Sequence, residues 1–454
     1  MTPSSPKQAD SAASSQGARD LRTDAGSVDG RSALAPDRDL TAPRVLSRRV
    51  VAMLACLAGA AMTLPACTDE TLLRVGTFDV GLVRGTPDAL AEQLSQTWDT
   101  QGRALGEILQ RTRPDVVVLT SFQADPSGAL LKSFQQNFLS MSQNGLDPIL
   151  YPYSYVAPSN VGVPSGYDLD RDGTVGGPGD ALGYGDFPGQ SGVAILSRYP
   201  ILTSQIRTFQ TFLWHDMPGA MLPNDIDTTE ISDWYTEEEL AVVPLASHTL
   251  ADVPVEAPGG VVHVLATQAV APTSPGYADS NPLRNHDELR FWADYVSPEL
   301  DDYIYDDSGT TGGLSAGEAF VIAGGLGADP FDGLSQDFAA RQLVFHPQVS
   351  QIVAQGTMVP ASEGGVELAS QEPTLSAQTG DPAWDTAREG LRLDYVLPST
   401  GLQVEDSGLF WPSSTDLLYG LVANDVSSSH RLVWVEVSPG TSGVRDTIAG
   451  WLGQ

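Results

Sequence analysis

From residue 72 to about residue 437 the chain runs without a Pro/Gly/Ser stretch long enough to separate two independent cores, and this continuity constrains its fold more than any other feature. Short β-branched runs recur along it, over residues 73–78, 115–119, 191–196, 261–266, 319–323, 393–397 and 430–437. Helical patterns lie between several of them, over residues 87–111, 128–139 and 285–295. The mixture predicts one large domain with buried strands, α/β or α+β. No internal repeat is visible.

Hydrophobic residues make up 41% of the 454-residue chain and charged ones 18%, enough to build a sizeable core and unlike a disordered polyanion. The net charge of −33 is unevenly divided: residues 1–66 hold 8 of the 24 basic and 6 of the 57 acidic side chains, so residues 67–454 carry −35. Lys132 is the only lysine beyond residue 66. A surface this anionic repels phosphate backbones, which argues against a nucleic-acid partner, and its self-repulsion favours a monomer. The acid excess reads as adaptation to a salty environment rather than as recognition of a ligand. Cys56 and Cys67 are the only cysteines, so a disulfide scaffold and a Cys-based zinc site are excluded.

Residues 1–44 are rich in Ser, Ala, Asp and Arg without apolar periodicity, and read as a disordered extension or as sequence upstream of the true start. Residues 45–66 follow the layout of a secretory signal: the basic Arg48-Arg49, an apolar run from Val50 to Leu64, then small residues. That run is shorter than the ~20 residues a membrane-spanning helix needs. Leu64-Pro65-Ala66-Cys67 resembles a lipobox with Pro65 at an unusual place, and Ser47-Arg48-Arg49 resembles part of a twin-arginine export signal. The expectation is an exported protein at the cell envelope, anchored in the membrane by a lipid on Cys67 or secreted. The folded domain would then span residues 67–454.

Six blocks stand in a telling order: Thr77-Phe78-Asp79, Arg113-Pro114-Asp115, Ser191-Gly192 leading to Ser197-Arg198, Gly325-Leu326-Gly327-Ala328-Asp329-Pro330, Asp394-Tyr395 and Ser429-His430. Together they resemble the endonuclease/exonuclease/phosphatase family, the deoxyribonuclease-I-like hydrolases, in a secreted bacterial form. The resemblance implies an α+β, four-layer α/β/β/α sandwich of two mixed β-sheets flanked by helices. It also implies a metal-dependent phosphoesterase centre, in which carboxylates hold a divalent cation such as magnesium while amides and imidazoles bind the phosphoryl oxygens.

At the positions matching that centre most residues differ. Asp79 stands for the family's Asn, Ser121 for its metal-binding Glu, Gln268 for its middle His, Gly325 and Gly327 for its Asp-x-Asn pair, and Ser429 for the penultimate Asp. Asp394 and His430 are retained, an imidazole oriented by a carboxylate. Losing one such electrostatic group costs ~10²–10³ in rate. The expected function is therefore a non-catalytic binding or structural module. The rival reading is a divergent phosphodiesterase or phosphatase built from Asp79, Asp394 and His430, helped by Glu288 or Asp329. Asp125, Asp329 and Asp425 lie four residues from substituted positions and are the candidates for relocated ligands.

A second constellation is Asp168-Leu169-Asp170-Arg171-Asp172-Gly173-Thr174, followed by Asp180. The D-x-D-x-D-G spacing places carboxylates inside one tight loop, with Gly173 for the turn and the Thr174 carbonyl available, as calcium loops require. The bidentate Glu of such loops is replaced by Gly179, so Asp180 or Asp186 must complete the shell. The expectation is a structural calcium site of Asp168, Asp170, Asp172, Thr174 and Asp180. Arg284-Asn285-His286-Asp287-Glu288 opens a helix and reads as scaffold more than as a metal site. His215, His248, His263 and His346 are isolated in the sequence and read as hydrogen-bonded scaffold residues.

Overall fold

Strand β2 (Val116–Phe122) shows how the sequence builds the layers: its side chains alternate between two cores. Val116 and Val118 face a core shared with the second sheet, whereas Val117, Leu119 and Phe122 face helices. The same alternation governs β8 (Ala319–Gly325), where Val321 and Ala323 point inward and Phe320 and Ile322 point to the opposite helical layer. A computed structural model describes residues 72–439 except 226–227, 276–279 and 373. The expectations for residues 1–44, for the export segment 45–66 and for Cys67 lie outside the described residues.

One sheet has six strands in the order β10-β11-β1-β2-β4-β3, with β1 Leu73–Leu82, β3 Tyr153–Val156, β4 Ala194–Ser197, β10 Leu402–Leu409 and β11 Val433–Pro439. The other has five in the order β5-β6-β7-β8-β9, with β5 Arg207–Thr208, β6 Thr249–Ala257, β7 Gly260–Gln268 and β9 Asp394–Pro398. Each is mixed: β1/β2 and β7/β8 run parallel, and the remaining pairs are antiparallel. The inner faces meet through Val, Leu, Ile and Ala side chains such as Val75, Val118, Val253, Val264, Val396 and Val435.

On the outer face of the six-stranded sheet lie helices α1 (Ala89–Leu94), α2 (Thr100–Thr112) and α3 (Ala129–Phe134), with Leu90, Leu105, Leu109 and Phe134 packed on Phe78 and Leu119. A short α4 (Glu237–Leu240) precedes α5 (Ser280–Tyr295), which lays Leu289, Phe291, Trp292 and Tyr295 over Leu265, Ile322 and Leu397. Phe209 fits edge-on among three of those rings, with centroids 4.9–6.1 Å away. The four layers are therefore helix, sheet, sheet, helix. The expected helix over 87–111 is two helices, because the Asp99 side chain accepts from Gly102 N at 2.7 Å and starts a new one.

Topology brings the chemistry to one end of the sandwich. The parallel pairs β1/β2 and β7/β8 carry their C-terminal ends to the edge where β9 begins, and β11 starts three residues after His430. In register, Asp79 lies beside Thr120, Gln268 beside Gly325, and Gly325 beside Asp394.

Candidate functional site

A cleft of ≈ 600 Å³ opens at that edge, and Asp79, Ser121, Gln268, Gly325, Gly327, Asp394 and His430 all line it. Seven of the eight positions singled out in the sequence thus converge on one space. Ser429 is the exception: it precedes His430 but does not line the cleft, and its carbonyl accepts from Arg388 N at 3.2 Å.

His430 Nδ1 lies 2.7 Å from Asp394 Oδ2, and Thr386 Oγ1 donates to the same oxygen at 2.8 Å. Thr386 also accepts from the backbone N–H groups of Leu393 and Asp394 at 3.0 Å, which fixes the carboxylate at the start of β9. Burial alone would lower the His430 pKa. The Asp394, Asp79 and Glu389 carboxylates outweigh it and hold the imidazole at about 10. At neutral pH this ring is therefore a cation, and an imidazolium of that strength has no free lone pair with which to take a proton from water.

Asp79 is engaged on both oxygens. Gly81 N donates to Oδ1 at 3.1 Å, while Thr120 Oγ1, at 3.2 Å, and Ser121 Oγ donate to Oδ2. Ser121 sits in the left-handed region at φ 49°, a sparsely populated conformation for a residue with a side chain. Gln268 steadies it from the other sheet. Its Oε1 accepts from Ser121 N at 2.9 Å and its Nε2 donates to Ser121 Oγ at 3.2 Å, forming an amide clasp across the floor of the cleft.

The candidates for relocated ligands are held elsewhere. Asp329 lines the cleft, but its oxygens accept from the N–H groups of Phe331, Asp332 and Arg392 at 2.7–2.9 Å. Asp125 caps α3 through Ala129 N and Leu130 N, and Asp425 pairs with Arg388 at 2.6 Å. Glu288 is buried on α5, with Ser247 N and Val270 N donating to it at 2.6 and 2.8 Å, and it does not line the cleft. Among the described residues, the only group of three or more metal-ligating side chains is elsewhere on the chain. A magnesium centre of the kind the resemblance implies does not fit the residues of this cleft.

His248 was not visible as a site residue in the sequence. It immediately precedes β6, whose first residue, Thr249, pairs with Gln268, so the hairpin register carries the ring into the cleft. Burial lowers its pKa to about 4, the Arg284 guanidinium adds to that, and Asp79 opposes it. The cleft therefore contains one neutral and one charged imidazole.

The acidic loop forms a separate cluster. Oxygens of Asp168, Asp170 and Asp180 lie within 4.8 Å of one another, and Asp168 Oδ1 is a buried atom without a hydrogen-bond partner. Asp180 is buried and accepts from Leu169 N and Gly176 N, both at 2.7 Å. Asp172 falls outside this group, and its Oδ1 instead accepts from Thr174 N at 2.7 Å. A Cβ at Gly179 would come within 2.0 Å of Asp170 Oδ2, so the Asp170 carboxylate occupies the space a side chain at the twelfth loop position would need.

In the Arg284–Glu288 stretch, Arg284 donates to the carbonyls of Leu182, Pro244, Leu245 and Ala246, and Asn285 to those of Val270 and Leu326. Asp287 accepts from Trp214 Nε1 at 2.8 Å and from Met221 N at 2.6 Å. These side chains satisfy the backbone of loops behind the cleft.

The sequence profile described as Endonuclease/Exonuclease/phosphatase family matches residues 93–430. No curated protein sequence matches the chain. Among solved structures, the chain is similar to the endonuclease/exonuclease/phosphatase from Beutenbergia cavernae DSM 12333, at 16% identity over 82% of this chain and 72% of that one, with a TM-score of 0.43. It is also similar to an endonuclease/exonuclease/phosphatase family protein from Leptotrichia buccalis C-1013-b, at 11% identity over 81% and 99% of the two chains, TM-score 0.40. The human Nocturnin catalytic domain with bound sulfate anion matches at 13% identity over 82% and 95%, TM-score 0.40.

Proposed function

Because the chain belongs to the endonuclease/exonuclease/phosphatase family, we propose that it keeps the family's cleft as a binding site and has given up its metal-dependent phosphoester chemistry. The observation that carries this reading is the state of the two central carboxylates. Asp79 is fully engaged by Gly81, Thr120 and Ser121, and Asp394 Oδ2 by His430 and Thr386. No third carboxylate joins them in a cation-binding group among the described residues. A phosphodiester entering such a cleft finds one cationic side chain, the His430 imidazolium, already paired with Asp394, and no group of carboxylates to hold a cation against the charge that builds in its transition state.

The test is hydrolysis of a bis-aryl phosphodiester by the purified protein with magnesium, manganese or calcium. The expected result is no turnover above background. Turnover that disappears in His430→Ala would establish the rival reading, a reduced phosphoesterase of Asp79, Asp394 and His430.

Two further elements belong to the same reading. The basic-then-apolar layout before Cys67 supports export and lipid anchoring at the cell envelope; labelled fatty acid incorporated by the wild type and lost in Cys67→Ser checks it. The Asp168, Asp170 and Asp180 cluster supports a structural calcium site pinning the loop that leads to β4.

A further inference from the structure

The strands that run through the sandwich tie its two ends to different residues. Leu73, Val262 and Ala319 line a groove of ≈ 150 Å³ at one end, where β1, β7 and β8 begin. Asp79, Gln268 and Gly325, each six residues further along the same three strands, line the cleft at the other end. Six strand residues rise ~20 Å, so the floor of the cleft lies about that far from the groove. The rim stands farther out, because Thr273, Leu334 and Glu389 line the cleft from beyond the strand ends, and Leu334 is 74% exposed. The groove end also gathers the β6–β7 turn at Pro258 and Gly259 and the β9–β10 turn at Gly401.

Cys67 precedes Leu73 by six residues, so the chain that follows it enters the fold at the groove end. Six fully extended residues span at most ~20 Å. A lipid on Cys67 therefore keeps the start of β1 within that distance of the headgroups. With the mouth of the cleft turned to the bilayer, Leu73 would stand ~20 Å behind the cleft floor and farther still behind the rim, past the reach of even a taut linker. Turned on its side, the domain would press its flanks against the headgroups, and residues 67–454 carry a net charge of −35 that anionic lipids repel. None of the residues lining the groove is Asp, Glu, Lys or Arg. Glu256 and Glu318 are exposed one or two residues from that lining, so the groove adds little attraction of its own and the short tether sets the orientation.

We propose that the anchored protein stands on the membrane by its groove end and opens its cleft away from the bilayer that holds it. This rests on the reading of Cys67 as the site of a lipid anchor. The surface around Leu73, Pro258, Val261 and Gly401 is then the face turned to the lipid, and the cleft around Asp79 and His430 takes its ligand from the aqueous side. Lipids of the anchoring membrane are excluded as that ligand, because a headgroup would have to leave its leaflet and rise past the whole depth of the sandwich, at a cost that grows with every methylene exposed to water.

The experiment uses the full chain, exported by its own leader, purified from the envelope in detergent and reconstituted into phosphatidylcholine vesicles containing a trace of headgroup-labelled acceptor lipid. A donor dye is placed on Gly401→Cys at the groove end or on Leu334→Cys at the rim of the cleft. Gly401 is exposed, has ordinary backbone conformation, and a Cβ there meets only Ser399 Oγ, at 4.0 Å. Melting curves report on the folding of both variants, and Thr400→Cys, exposed in the same turn, replaces Gly401→Cys if that variant is unstable. The expected result is energy transfer to the acceptor lipid at least twofold more efficient from the groove end than from the rim. Equal transfer from the two positions, or more from the rim, would overturn the orientation. Mass spectrometry of Cys67 and flotation with the vesicles are measured on the same sample. A Cys67 without an acyl chain would overturn the anchoring reading and the orientation with it, whereas acylated, vesicle-bound protein with equal or reversed transfer overturns the orientation alone.

Discussion

The charge state of His430 gives the most exacting test of the site. Its imidazole is held at about 10 against an ordinary 6.5, by Asp394, Asp79 and Glu389 acting against burial. A histidine raised in this way contributes stability that is fully present below about pH 6.5 and is lost as pH rises through about 10. At ~1.4 kcal/mol per pH unit the interval sets a ceiling of about 5 kcal/mol. Because 21% of the side chain remains open to solvent and two of the carboxylates lie farther off, about 2–3 kcal/mol is the expected difference. Two measurements check it. NMR titration of the ring Cε1–H signal should show no transition between about pH 5 and about pH 8, the window in which an ordinary histidine titrates. Urea unfolding should show wild type losing more stability across the alkaline range than His430→Gln. In Asp394→Asn the ring should titrate well below its wild-type midpoint. A wild-type midpoint near that of a free histidine would refute the charge assignment, and with it the argument that His430 is no general base.

Asp385 is a second buried group whose pKa is raised: burial, reinforced by Asp329, Asp332 and Asp381, lifts its carboxyl to about 7, and its Oδ2 has no hydrogen-bond partner. Its raised pKa makes the fold less stable as pH climbs from 3.8 through about 7, so Asp385→Asn should stabilise by about 1–3 kcal/mol at pH ~8 and change little at pH ~4, read by thermal or urea unfolding. Millimolar calcium should raise the melting temperature of the wild type and not of Asp170→Asn, whose carboxylate is one of the three in the loop cluster; an identical shift in both would remove the site. Arg284→Met should cost about 3 kcal/mol or more, since four loop carbonyls lose their shared donor, and urea unfolding would show it.

Much of the fold was legible because buried strands advertise themselves: the runs at 115–119 and 319–323 became β2 and β8, interior strands with both faces covered. The strands that escaped notice carry polar or breaking residues. In β6, Pro254 falls beyond the two residues that pair with β5, and Asp252 is buried because His263 and Tyr295 hydrogen-bond to it at 2.7–3.0 Å. Neither feature marks a strand in one dimension. β10 lies at a sheet edge and reads as polar. At the site, positions at strand ends were found through the resemblance, whose motif blocks close the strands that deliver Asp79, Gln268 and Gly325 to the cleft. His248 was lost because its neighbour Gln268 is reached only through the hairpin register, and sequence carries no record of which carboxylates surround a ring. The acidic loop was legible by spacing, while the separation of Asp172 from the Asp168, Asp170 and Asp180 cluster follows from local turns that the spacing does not encode.

The amide clasp between Ser121 and Gln268 makes the two positions hard to change one at a time. Each partner completes the other's hydrogen bonding across the two sheets, and Ser121 also donates to Asp79. Ser121→Glu by itself sets a second carboxylate against Asp79, and Gln268→His by itself removes the amide acceptor from Ser121 N. Each single change passes through a less stable protein, and the two together still leave Asp79, Gly325, Gly327 and Ser429 unlike the family's residues. Coupling of this kind works as a ratchet: wherever the pair is present, selection for stability retains both partners together and disfavours a change at either alone.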